Sequence, residues 1–400
     1  MAETKSIEWI TASGLCTGCG LCAGMFPSKL TIVLHEDGYL RPVAHDPLSS
    51  EENAKLLEVC PGTLIEHEAK QHNYHPHWGP LVQVRTGHAV DPRTRHEGSS
   101  GGVLSALLIH LLESKQVDFV AHVKAASDDP LGNELSISRS REDVLCGAGS
   151  RYAPSAPLAT LSDLLALPGR FAFVGKPCDV AALRRYEKLN PDVSDKVPFM
   201  LSFMCAGIPS RKGTLAILAK FGVAPEQVQS FTYRGDGWPG KTTAITHDQQ
   251  RFETDYSTSW GTVLNRHLQF RCKVCPDGVG EFADVVGADA WYGKDGYPDF
   301  AEHEGRSLVV SRTPRGELLV QGAKAANAID MEPLAVEEIA KMQPYQLNRK
   351  RLVLSRIAAL WLTRRPAPRY VNFPLVRLAF QLSLRENISS FRGTLQRLIA

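Results

Sequence analysis

Four hundred residues, 43% hydrophobic and 22% charged, make a globular chain too long for one ordinary core, so two or three domains are expected. No run reaches the ~20 apolar residues of a membrane-spanning helix, and the opening MAETKSIEWITASG lacks the pattern of a secretory signal; the expected location is the cytoplasm, where structural disulfides are rare. The net charge of +2 hides an asymmetry: residues 346–400 carry +10 and the remainder −8, so the tail is expected to act separately.

Residues 1–70 hold the first cysteines, an extended piece Leu30–Leu34 and the turn signal Glu36-Asp37-Gly38. A His-, Pro- and Gln-rich stretch over 70–80 reads as a linker. From 80 to 335 strands alternate with helices, which predicts a mixed α/β (α+β) core. Its elements are a helix Val103–Glu113, a strand over 117–123, a strand over 171–174 and a helix over 180–189. A strand over 199–204, a helix over 210–221, a small β insertion near 228–256, a strand Ser307–Ser311 and a helix over 318–325 complete it. The tail, 346–400, carries a basic amphipathic helical pattern. Leu375, Leu378, Ala379, Leu382, Leu395, Leu398 and Ile399 alternate with Arg377, Arg385, Arg392 and Arg397, interrupted by Pro374 and Gly393. Such a tail packs on the body with a solvated arginine face, or meets an acidic redox partner or an anionic membrane, which would place the protein at the periphery of the inner membrane. Few aromatics among its cations argue against nucleic acid.

Nine cysteines in a reducing compartment point to metal ligation or redox chemistry. Cys16, Cys19 and Cys22 have the spacing that wraps three corners of a 4Fe-4S cubane, and Cys60, followed by Pro61, supplies the fourth ligand. A ferredoxin run would place another cysteine where this chain has Phe26, so that run holds one cluster. Zinc is the alternative, but its motifs separate two C-x2-C pairs rather than overlap them. Cys272 and Cys275 form a half-site for zinc, a cluster or a redox dithiol. Cys178 and Cys205 each follow a predicted strand, at the edge where α/β proteins place functional loops. Alone each reads as a small buried hydrophobe; with Cys272 and Cys275 they make a second cubane site. Cys146 is left as a structural or free thiol.

Clusters carry one electron, most organic substrates exchange two, and a flavin does both. The loop Gly98-Ser-Ser-Gly-Gly102, at a helix start, offers backbone N–H groups and hydroxyls to a pyrophosphate, or is an ordinary glycine turn. Gly149-Ser-Arg-Tyr152 adds a cation and an aromatic ring near another loop.

These segments, taken with others, resemble the coenzyme F420 hydrogenase/dehydrogenase β-subunit family over most of residues 10–330. The resemblance runs through Glu97-Gly-Ser-Ser-Gly-Gly-Val103, Gly149-Ser-Arg-Tyr152, Gly175-Lys-Pro-Cys-Asp179 and Phe203-Met-Cys-Ala-Gly207. It continues in Tyr233-Arg-Gly-Asp-Gly-Trp238, Ser259-Trp260, Arg271-Cys-Lys-Val-Cys-Pro-Asp277, Glu281-Phe-Ala-Asp284 and Gly287-Ala-Asp-Ala-Trp291, where many relatives read Gly-Asp at the last site. The resemblance implies FAD in the α/β domain at Ser99, Ser100, Gly101 and Gly102 and at Ser150, Arg151 and Tyr152, with Lys176 beside them. It implies Cys178, Cys205, Cys272 and Cys275 as ligands of one 4Fe-4S cluster, and a second cluster in a ferredoxin-like N-terminal piece.

Members of that family include deazaflavin-reducing hydrogenase subunits, ferredoxin-dependent reductases of chlorophyll precursors, and bacterial proteins associated with surface-polysaccharide synthesis. The last group most resembles the tail segments Arg364-Arg-Pro-Ala-Pro-Arg-Tyr370 and Phe391-Arg-Gly-Thr394. The expected function is an FAD- and iron–sulfur-dependent oxidoreductase passing electrons between a ferredoxin-type or deazaflavin partner and a small organic substrate. The alternatives are a redox protein of polysaccharide synthesis and a zinc-stabilised binding protein without redox activity. Asp179, Tyr152 and His96 are candidates for a general acid by location, or simply hydrogen-bond within their loops.

Overall fold

Apolar residues on adjacent positions of the central strands point into two different cores, and this alternation explains the architecture. The computed structural model describes residues 6–69, 73–294 and 297–399; positions 70–72 of the expected linker lie outside the described residues. Eight strands form the main sheet: β1 (Gln83–Ala89), β2 (Phe119–Ala125), β3 (Asn133–Ser138) and β4 (Phe171–Gly175), then β5 (Phe199–Phe203), β6 (Val285–Asp289), β7 (Ser307–Ser311) and β8 (Ile329–Pro333). Their spatial order is β8-β1-β7-β6-β5-β4-β2-β3. Strands β2, β4, β5 and β6 run parallel, and the flanking pairs are antiparallel.

Phe173, Met200, Val286 and Val310 enter one core, while Ala172, Leu201, Val285 and Val309 enter the other. Strands covered on both faces read as continuous apolar runs, as these do. The helix Val103–Glu113 closes the second core through Leu107 and Leu111; the helix Pro177–Glu187 closes the first through Val180 and Leu183. The latter starts three residues earlier than expected. Pro177 occupies the first helical position, where its missing N–H costs nothing, and the Asp179 carboxylate accepts from the Lys176 N–H at 2.9 Å. Cys178 therefore sits on a first helical turn. A separate sheet, Val228–Thr232, Thr242–Thr246 and Arg251–Thr254, packs around Phe231 and Ala244.

The basic tail is integral to the body. Its strand Arg369–Val371 pairs in parallel with Leu64–Glu66, and Val353, Ile357, Phe373 and Leu375 share a core with Ile65. Gly393 does not interrupt the last helix, Leu384–Ile399, because one glycine costs a helix only about 1 kcal/mol. Three tail side chains hold the backbone around Cys272. Arg349 donates to the carbonyls of Cys205 (2.7 Å) and Cys272 (2.9 Å), Arg356 to Lys273 O (2.6 Å), and the Tyr370 hydroxyl to Val274 O (2.6 Å).

One buried carboxylate ties the three parts of the chain together. Glu281 accepts from His67 Nε2 and from the Tyr74 hydroxyl, each at 2.9 Å, and from the Lys350 ammonium. Gly79 makes room for it: a Cβ there would stand 2.5 Å from Glu281 Cγ, and its φ is +77°. Burial alone would raise the Glu281 carboxyl, but Lys350 and His67 outweigh it and pull it down to about 2.

A carboxyl held below its unfolded value of ~4.3 contributes stability that is complete above that pH and is lost as pH falls through the folded value. Unfolding free energy should therefore fall between pH ~4.3 and ~2. Glu281→Gln should lower stability at neutral pH by about 3–5 kcal/mol, by leaving Lys350 unpaired, and flatten that acid limb; denaturant titrations across pH check both. Arg349→Ala, which strips two carbonyls of their donors, should cost about 3 kcal/mol in the same assay.

Candidate functional site

The C-terminal ends of β4 and β5 open beneath a cavity of about 250 Å³, the place where parallel sheets bind ligands. Ser99, Ser100 and Gly102 line it from the loop before the helix Val103–Glu113. Ser150, Arg151 and Tyr152 line a second wall, and Lys176, Asp179, Met204 and Cys205 a third.

Not every expected contact presents its functional group. Gly101 lies outside the lining; its N–H donates to Ser307 Oγ at 2.9 Å, and a Cβ there would stand 2.8 Å from Gly87 O. The Ser100 hydroxyl is spent on Arg306 O at 2.8 Å. The Arg151 guanidinium bonds Asn133 Oδ1 (2.8 Å) and the carbonyls of Phe231 (2.6 Å), Pro130 (2.9 Å) and Gly132 (2.8 Å), so it knits loops together instead of offering a free cation. Of the three candidate acids, Asp179 and Tyr152 line the cavity; His96 is exposed and does not.

Lys176 and Asp179 form a buried pair at 2.9 Å, and Lys176 also donates to Ser155 Oγ at 2.9 Å. Asp179 Oδ1 is buried with no partner. Burial raises the Asp179 carboxyl and Lys176 offsets part of that rise. An acceptor orphaned on a cavity wall costs free energy until a ligand supplies a donor.

Two further features of this wall escaped the sequence reading. Arg234 holds Asp289 through two bonds of 2.9 and 2.7 Å, and Trp238 Nε1 donates to the same carboxylate at 2.7 Å. Both residues lie within motifs already noted, but nothing in the sequence pairs them. His122 bonds Ser138 Oγ at 2.7 Å, and burial pushes it down to about 4, so its imidazole is neutral at pH 7.

The first cysteine set surrounds its own hollow. Cys16, Cys19, Cys22 and Cys60 line it with Ile7, Ile10 and Leu56. Gly20, with φ +85°, lets the loop turn there, and a Cβ would meet Ala159 N at 2.7 Å. Backbone N–H groups of Leu21, Ala23, Gly62 and Thr63 point at the sulfurs of Cys19, Cys22 and Cys60. Burial first, then the neighbouring thiols, pushes Cys19 up to about 12 and Cys60 to about 11. Thiols so placed ionise only when a cation compensates them, as metal ligation does.

The second set gathers from three stretches of chain. Cys178 feels Cys205 and Cys272, and Cys205 feels Cys272 and Cys275; burial raises Cys178, Cys205 and Cys275. The Gly207 N–H donates to Cys205 Sγ at 3.4 Å. Buried Arg271 and Arg349 offset the negative charge that Cys275 would carry. Cys146 is exposed and joins neither set.

Further side chains join the two sets. The Gln269 amide donates to Thr17 O at 3.2 Å and to Cys272 Sγ at 3.5 Å, and it accepts from Arg41, which also bonds Cys16 O at 3.2 Å. Arg271 donates to Pro61 O at 2.6 Å. The Asp179 charge reaches both Cys19 and Cys178. Among the described residues no three His, Cys, Asp or Glu converge as ligands of a single ion. A cubane spreads its thiolates over four irons and needs a hollow instead.

The family model for the N-terminal part of the coenzyme F420 hydrogenase/dehydrogenase β subunit matches residues 84–162, and that for its C terminus matches residues 169–337. The chain is 25% identical over 396 residues to the coenzyme F420-dependent sulfite reductase of Methanocaldococcus jannaschii, covering 93% of this chain but only 54% of that protein. It thus spans about half the length of that relative. It is 25% identical over 292 residues to the coenzyme F420 hydrogenase subunit beta of Methanococcus voltae, covering 70% of this chain and 96% of that protein. A chain in the structure of the F420-reducing NiFe hydrogenase complex from Methanosarcina barkeri shares the fold, with a TM-score of 0.57 at 20% identity over 74% of this chain and 98% of its own. With the two family models covering well over half of its residues, the chain belongs to the coenzyme F420 hydrogenase/dehydrogenase β-subunit family.

Proposed function

We propose that this chain is an FAD- and iron–sulfur-dependent oxidoreductase that exchanges electrons between a ferredoxin-type protein partner and a two-electron organic carrier. The observation that carries this reading is adjacency: the cavity and both cysteine sets meet at Lys176 and Asp179. FAD bound in the cavity would supply the exchange between one-electron and two-electron carriers. Cys16, Cys19, Cys22 and Cys60 would hold one 4Fe-4S cluster; Cys178, Cys205, Cys272 and Cys275 would hold the other.

The remaining work falls to the chain itself. Backbone N–H groups at the start of the helix Val103–Glu113 favour the negative charge of a diphosphate near Ser99 and Gly102. Ser150 and Tyr152 bound the opposite wall, and Arg151 holds them there. Asp179 Oδ1, left without a partner, would accept a hydrogen bond from a group bound there, and Lys176 carries the charge that compensates the carboxylate. Around the second set, Arg271, Arg349 and the Gly207 N–H stabilise thiolates, and hydrogen bonds to sulfur raise the potential of a cluster. The names of the relatives point to a deazaflavin as the two-electron carrier. Sulfite reduction is not carried over, since the chain matches 54% of the sulfite reductase.

Anaerobically purified protein should contain about eight irons and one FAD per chain, with a visible shoulder bleached by dithionite. It should reduce coenzyme F420 when given reduced ferredoxin. Cys178→Ser should lose about half of the iron and keep the first cluster. Zinc without iron or flavin would overturn the reading, and full iron in Cys178→Ser would overturn the second site.

A further inference from the structure

Among the described residues, the C-terminal helices carry a group of large apolar side chains left uncovered. Phe380 is 85% exposed, Ile399 78%, Leu384 76% and Leu362 67%, with Trp361 and Val376 also more than half exposed. Monomeric proteins rarely leave large side chains uncovered in such a group unless the patch binds something. These are not residues awaiting the body. The same helices already bury Val353, Ile357, Leu375, Leu378 and Leu398 against it.

Helical spacing gathers several of the exposed residues of the last helix on one face. The helix Leu384–Ile399 lies parallel to Val353–Leu362: Asn387 bonds Ser355, Ser390 accepts from Arg356 at 3.2 Å, and Leu398 O accepts from Arg365. Its inward face is Thr394 and Leu398. Leu384, Ile388, Arg392 and Ile399, separated by four, four and seven residues, share the outward face, and Arg385 stands seven before Arg392. Val376 and Phe380, four apart on the preceding helix, are exposed as well. Arg364, Arg377, Arg385 and Arg392 are exposed on or beside these helices, and among the described residues no ion pair joins any of them to a carboxylate.

We propose that this face seats the protein on an anionic membrane surface, with Phe380, Leu384 and Trp361 entering the headgroup boundary and the arginines binding lipid phosphates. Exposed apolar side chains interleaved with unpaired arginines match an interfacial helix, whereas an acidic protein partner would be satisfied by the arginines alone. The acidic body, at −8, is repelled by the same surface, so only the tail face can approach and the orientation is set. No helix among the described residues is long and apolar enough to cross the membrane, so the contact is peripheral. This inference rests on neither cofactor.

Flotation of the full chain with vesicles tests it. The protein should float with equal parts of phosphatidylglycerol and phosphatidylcholine, stay behind with phosphatidylcholine alone, and be released by high salt. Arg385→Gln and Arg392→Gln should each weaken partitioning about five-fold, and Phe380→Ser with Leu384→Ser should abolish it. Thermal unfolding of these variants should match the parent, since they alter exposed positions. Failure to float with anionic vesicles, or flotation unchanged in the Phe380→Ser and Leu384→Ser variant, would overturn the proposal. Concentration-dependent self-association that those substitutions remove, without flotation, would assign the face to a second copy and overturn it equally.

Discussion

Eight thiols brought together in two neighbouring sets impose the condition on which the rest of this structure depends. As metal ligands they would be thiolates, and burial makes each uncompensated thiolate costly. The fold meets that cost with fixed positive charge and dipole. Arg271 and Arg349 are buried beside the second set, backbone N–H groups face the sulfurs of Cys19, Cys22, Cys60 and Cys205, and carboxylates near the sets are few. One of them, Asp179, is held against Lys176.

That condition explains why three distant stretches of chain behave as one body. Cys178 and Cys205 follow the ends of adjacent parallel strands, Cys272 and Cys275 lie on and just after a short helix beyond the small sheet, and the guanidinium that steadies their backbone comes from residue 349. Glu281, just past the last cysteine, draws His67 from the N-terminal segment and Lys350 from the tail onto one carboxylate. Breaking such a buried group is far more damaging than never building it, because the partners left behind stay charged and dry. The tail is thus a support for the site on its inner face, and presents a second chemistry only on its outer one.

Legibility followed the kind of signal each residue leaves. The convergence of Cys16, Cys19, Cys22 and Cys60 on one hollow was readable because the first three are regularly spaced, and Phe171–Gly175 or Ser307–Ser311 because a doubly covered strand must be apolar throughout. Arg151 shows the limit. Its type suggested a cation for a ligand, but a sequence does not reveal that its donors are consumed by Asn133, Phe231, Pro130 and Gly132. Gln269, Arg349 and Lys350 were invisible for a related reason: each acts on residues far away in the chain and belongs to no motif. The tail's charge was legible and its direction was not, since counting arginines cannot separate Arg349, buried on a carbonyl, from Arg392, facing solvent.

In the proposed assignment two clusters lie side by side next to one cavity, joined through Gln269 and Arg271. Electron paramagnetic resonance of the dithionite-reduced protein tests that claim most directly. Two reduced clusters in adjoining hollows should give a broadened spectrum with spin–spin interaction, which collapses to one simple signal in Cys178→Ser. Two independent, unbroadened signals, or a spectrum unchanged by Cys178→Ser, would contradict it.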